Sequence, residues 1–133
     1  MRFRFRGKVS AGRGEGVRYL SLDWIIIQIE EKCGFTPFLG TLNVIVDESV
    51  RVKYRAFIDA HDGIAVEPID SRYAYGKYFQ GIINREVDGG VIVPLVPGYL
   101  ENLVEVISGV NIREVLGLSD GDEVSVEILD QDG

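Results

Sequence analysis

Three glycines fall within the five residues Gly12-Arg13-Gly14-Glu15-Gly16. Glycine lets the backbone approach a ligand closely, and successive N–H groups in such a stretch can converge on one anion. No Gly-Lys-Ser/Thr follows, so this is not a Walker-type phosphate loop, and its flanks do not form a clean βαβ dinucleotide unit. The same glycines could equally serve a flexible strand connection, and Arg13 could face a phosphate or only solvent. Further along, Thr41 and Asn43 lie two apart in a predicted strand and project to one face. A hydroxyl and an amide oxygen are hard, neutral ligands suited to Mg²⁺ whose other positions hold phosphates and water. Alternatively the pair is simply the polar face of a strand. In Leu103-Val104-Glu105-Val106-Ile107 one carboxylate sits inside an apolar strand. It needs a partner, either a neighbouring arginine or the donors of a ligand. Val110-Asn111-Ile112-Arg113 stands at a helix entrance, where orphan N–H groups with Asn and Arg side chains could read a base or a phosphate.

Other chemistries are poorly provided for. The single Cys33 excludes an internal disulfide and a thiolate metal cage, and reads as a small core hydrophobe at the end of a helix. One histidine, His61, leaves little for a histidine metal site or a Ser-His-Asp triad. A net charge of −7 argues against sequence-independent binding of nucleic acid, which depends on clustered Lys and Arg. The longest apolar run, Trp24-Ile25-Ile26-Ile27, is too short to cross a bilayer, and the N-terminus lacks a signal-peptide core. These features predict a cytoplasmic protein without membrane contact.

The elements that must position these groups are mostly strands. At 133 residues, with 46% hydrophobic and 26% charged residues, the chain suits one folded domain over 1–133. Arg2 to Val9 alternates, Phe3 and Phe5 facing one way and Arg2, Arg4 and Arg6 the other. A helix is predicted from Leu22 to Lys32, with Ser21 as N-cap and Gly34 as its stop, and it is the only long helix expected. Gly40 to Asp47 reads as a turn and a strand, with Leu42, Val44 and Val46 on one face. Short strands are expected at Val52 to Ile58, Gly63 to Ile69 and Tyr78 to Ile83. Asp88-Gly89-Gly90 predicts a tight turn before a strand at Val91-Ile92-Val93, and Leu103 to Ile107 predicts another. A short helix, Ile112 to Leu116, ends at Gly117, and Ser119 to Asp122 turns into a strand carrying Val124, Val126 and Ile128. So many strands with one substantial helix predict a mainly β fold closed as a small barrel.

The order GRGEG, YLSL, GFTPFLGTLN, GGVIVP and LVEVISGVNIREVLGLSDGDEVSVEI closely resembles the archaeal CTP-dependent riboflavin kinases. The likeness runs from about Val9 to Ile128 and is loosest from Val46 to Val87. It implies a six-stranded cradle-loop barrel that makes FMN and CDP from riboflavin and CTP with Mg²⁺, expected here as a monomer. By the same resemblance Gly12, Arg13, Gly14, Glu15, Gly16 and Val17 form a nucleotide-binding loop. Val110, Asn111, Ile112 and Arg113 then form the second nucleotide segment, Thr41 and Asn43 hold the metal, and Glu105 contacts the flavin. No residue declares itself a general base. Two positions depart from the family pattern: Val17 stands where an arginine is common, and Pro97 replaces a flavin-contacting threonine, with Tyr99 nearby as a substitute. The lost hydroxyl keeps a second possibility open, a non-catalytic flavin- or nucleotide-binding barrel.

Overall fold

The computed structural model describes residues 2–11, 23–70, 72, 74–96 and 102–129. Strict alternation makes β1 (Arg2–Ser10), in which Phe5 and Val9 are buried and the arginines exposed. The other strands are β2 (Leu42–Ile45), β3 (Ile64–Val66), β4 (Gly76–Ile83), β5 (Val87–Pro94), β6 (Leu103–Ile107) and β7 (Glu123–Leu129). All pair antiparallel in the order β3-β4-β5-β6-β2-β1-β7, and β4 also pairs with β7. Six strands therefore close on themselves, and β3 adds to the free part of β4 through Ile64↔Tyr78. Closure leaves few edges to pair wrongly.

Alternation then sorts the side chains. Inward positions such as Val9, Val44, Val104, Val91, Phe79 and Val126 form the main core. On the outer face, α1 (Asp23–Cys33) lays Ile25 and Ile29 over Tyr78, Ile92 and Ile107 as a second core. Gln28 of α1 pairs with the backbone of Glu67 at 2.7 and 2.8 Å, tying the helix beside β3. Gly34 follows at φ +84°, the left-handed stop expected of it. The Ser21 cap lies outside the described residues.

The segment expected as a strand at Val52 to Ile58 is instead helical: α2 spans Glu48–Ala60. Its 13 residues exceed the 11 of α1, so the expectation of one substantial helix is corrected. Asp47 caps it, its Oδ1 accepting from Val50 N at 2.9 Å, and Lys77 Nζ donates to the Ile58 and His61 carbonyls at its far end. Tyr54, Phe57 and Ile58, at helical spacing, enter the main core, whereas Val52 is 53% exposed. Burying each of those three gains about 1.5–3 kcal/mol, against a few tenths for the β-branched residues' reluctance to be helical. Packing wins.

The expected turn at Asp88-Gly89-Gly90 is also displaced. The chain reverses at Asn84-Arg85, both at positive φ, and Glu86 N donates to Ile83 O at 3.0 Å. Gly89 and Gly90 lie inside β5 because there is no room for a side chain. A Cβ on Gly90 would meet the Tyr78 ring, and would stand 2.5 Å from the Phe79 carbonyl oxygen. The last unit follows the sequence closely: α3 (Ile112–Leu116) ends at Gly117, φ +63°, and Ser119 to Asp122 turns into β7. Gly90→Ala should lower unfolding free energy by about 1–3 kcal/mol, as overpacked sites do. Urea titration checks this, and an unchanged midpoint would remove the close-packing explanation.

Candidate functional site

The entry to β2 brings Thr41 and Asn43 together. Thr41 Oγ1 donates to Asn43 Oδ1 across 3.2 Å, and Asn43 is 9% exposed. Two oxygens in neighbouring positions of a Mg²⁺ octahedron, each at about 2.1 Å, stand about 3.0 Å apart. The pair therefore fits one edge of such a site once the hydroxyl turns its proton away. Among the described residues no three His, Cys, Asp or Glu side chains converge as metal ligands. A cation here would rest on neutral oxygens, with phosphates and water completing its shell.

The register fixes the surroundings. Asn43 stands opposite Ser10 of β1 and Glu105 of β6, and Glu105 stands opposite Ile92 of β5. Directly opposed residues share a face, so Ser10, Asn43 and Glu105 form one row outside the barrel. Glu105 is 3% exposed, which answers the expectation of a carboxylate buried in an apolar strand. Residues 12–17 continue the chain just beyond this row, and their own arrangement lies outside the described residues.

The fourth candidate segment meets the second across a cleft of about 200 Å³. Phe38, Gly40 and Thr41 line one side and Val110, Asn111 and Arg113 the other. Phe38 N donates to Ser108 O at 2.8 Å and holds the two loops together. Asn111 caps α3 by accepting from Glu114 N at 3.3 Å, so its oxygen is already used. Arg113 reaches back across the fold, its Nη2 donating to Ser10 O at 3.2 Å and to Asp120 Oδ1 at 2.5 Å. Val9 N to Asp122 O and Gly121 N to Val9 O, at 2.8 and 2.7 Å, fasten the same turn to β1. Arg113 thus ties α3 to the strand end from which residues 12–17 depart. The sequence gives no sign of this tie, because Asp120 reads only as a turn residue and Ser10 as a strand end.

Comparison with known proteins identifies the family. A family model for the CTP-dependent riboflavin kinases, described as "Domain of unknown function DUF120", matches residues 9–128. The chain belongs to that family. Among curated proteins it is similar to the riboflavin kinase of Sulfurisphaera tokodaii, 33% identical over 92% of this chain and 93% of the relative. The riboflavin kinase of Methanobrevibacter smithii is 36% identical over 91% of this chain and 96% of its own length. That of Pyrobaculum arsenaticum is 38% identical over 95% of this chain, which spans 60% of that relative's length.

In this riboflavin kinase family member the cleft has a larger neighbour. Val110 also borders a hollow of about 720 Å³ lined by Cys33, Phe35, Tyr78 and Ser108. Tyr78 OH donates to Gly89 O at 3.1 Å, and burial pushes its hydroxyl pKa upward. Burial also pushes the Cys33 thiol to about 11, with the Lys32 charge opposing the shift. Cys33 packs against the second core, as its sequence position suggests. At pH 8 about 0.1% of a thiol with that pKa is thiolate, against roughly a quarter at the ordinary 8.5. The greater nucleophilicity of the more basic thiolate recovers only part of that difference. Iodoacetamide at pH 8 should alkylate native Cys33 at least ~10-fold more slowly than the urea-unfolded chain. Equal rates would show an accessible, ordinary thiol.

Proposed function

We propose that the protein transfers the γ-phosphoryl group of CTP to the ribityl 5′-hydroxyl of riboflavin, giving FMN and CDP. The observation that carries this reading is the meeting of three separate segments on one outer face. The Thr41–Asn43 oxygen pair, the Ser10 end of β1, and the cleft bordered by residues 110–113 all lie there. Membership of the family supplies the substrate class.

In-line transfer forms a bond from the acceptor oxygen to the γ-phosphorus while the β–γ bridging bond breaks and the hydroxyl loses its proton. Such a reaction asks mainly for alignment and charge neutralisation. Backbone amides of residues 12–17 would hold phosphate oxygens, and residues 110–113 would hold the rest of the nucleotide. Thr41 and Asn43 would hold Mg²⁺, which when bound neutralises phosphate charge, its own charge left undiminished by neutral ligands. Glu105, one strand from Asn43, would accept from the donors of the flavin. Its burial supports an acceptor held near the Thr41–Asn43 pair and away from bulk water.

Pro97 in place of a threonine favours one competing reading, a barrel that binds flavin or nucleotide without turnover. Mixing protein, riboflavin and Mg²⁺ with CTP, ATP, GTP or UTP in turn separates the two. FMN should form with CTP, and binding by calorimetry with no FMN from any nucleotide would establish the silent binder. Thr41→Ala should lower turnover at least ~10-fold, since even an outer-shell partner is worth that much to a metal site. Its circular dichroism and urea midpoint should remain near those of the parent. An unchanged rate would remove Thr41 from the metal site.

A further inference from the structure

A second concentration of charge lies on the barrel away from the cleft at Thr41. Arg2, Arg4, Arg6 and Lys8 occupy the outward positions of β1, and all four are exposed. They face β7, where Glu127 lies 3.4 Å from both Arg2 and Arg4, and Glu123 lies 2.8 Å from Arg6. One carboxylate stretched between two guanidiniums at that distance leaves most of their N–H donors unsatisfied by it. Arg85, from the β4–β5 turn, joins Arg2, Arg4 and Arg6 in bordering a hollow of about 820 Å³. Ile82, Glu127 and Arg4 stand in one row across β4, β7 and β1, so the hollow also has an apolar side.

The backbone of Arg85 is a separate observation. Asn84 and Arg85 take φ +51° and +59° within the three residues that connect the paired Ile83 and Val87. Glycine at the second of those positions is the unstrained choice, and a long side chain there runs against local preference. The side chain so placed borders the hollow.

We propose that this hollow is a second anion site, taking a phosphate-bearing small molecule of about nucleotide size. Guanidinium forks match pairs of phosphate oxygens, and the volume lies in the range of small-ligand sites. A compact ligand is favoured over a long polymer by the charge balance. The chain as a whole carries −7, which repels an extended polyanion. A small ligand feels chiefly the field within the Debye length of about 8 Å, where the arginines dominate.

The test needs no enzymatic activity. Inorganic pyrophosphate is titrated into ¹⁵N-labelled protein without Mg²⁺, followed by a single-stranded oligouridylate in a separate sample. Saturable shifts are expected in the amides of residues 2–8 and 84–86 and in the arginine Nε–H signals. Shifts at residues 41–43 and 110–113 report the cleft independently, so the failure of either site is visible alone. Arg85→Gly relieves the left-handed strain and should fold well. It should weaken pyrophosphate binding at β1 about 10-fold, the worth of one charge-assisted hydrogen bond. Three results would overturn the site: no shift on β1, an affinity unaltered in Arg85→Gly, or engagement by oligouridylate alone.

Discussion

The register that holds β2 between β1 and β6 is the constraint on which the chemistry of this molecule depends. It sets Ser10, Asn43 and Glu105 side by side on the outer face, and Val9, Val44 and Val104 side by side within. A slip of one residue would turn Asn43 into the valine interior and Val44 outward. An amide buried there without partners costs several kcal/mol, and the exposed valine adds its own loss. The apolar core therefore enforces the polar row. Packing inside the ring decides which oxygens meet outside it.

Closure of the ring extends that constraint to distant parts of the chain. Pairing of β4 with β7 through Gly81↔Ile128 and Ile83↔Val126 completes the circuit and divides the outer face into regions. One region, over β2 and β6, carries Thr41, Asn43 and Glu105. A second lies beneath α1, where Tyr78, Ile92 and Ile107 are covered by Ile25 and Ile29. A third, over β1 and β7, carries the arginines. Glycine at 90 lets the Tyr78 ring lie against the strand, so the helix can approach without a gap. The tie from Arg113 to Ser10 and Asp120 then joins α3 to the end of β1. Elements far apart in sequence thus share one rigid support.

Parts of this arrangement are legible in the sequence for physical reasons. Strict period-2 alternation in β1 and β7 leaves one reading, and Asn111 with Gly117 marks both ends of α3. The spacing of Thr41 and Asn43 was enough to place both on one face, and the likeness to the riboflavin kinases includes the segments at 41–43, 105 and 110–113. The region from 48 to 60 was not legible, because Val52, Tyr54 and Ile58 also read as alternate strand positions. Only the core against Phe5 and Phe79 selects the helix, through Tyr54 and Phe57. The glycines at 89 and 90 misled for a related reason: a glycine required by a neighbouring carbonyl or ring looks like a glycine required by a turn. The Arg113–Asp120 contact depends on two turns folding toward each other, and no local pattern reports that.

Paramagnetic broadening by Mn²⁺ in the presence of CDP tests the shared metal position most directly. Amide signals of residues 10, 41 and 43 and of residues 110–113 should broaden together at low Mn²⁺, while those of residues 84–86 stay sharp. Broadening centred elsewhere, with residues 41 and 43 unaffected, would contradict a metal held by Thr41 and Asn43.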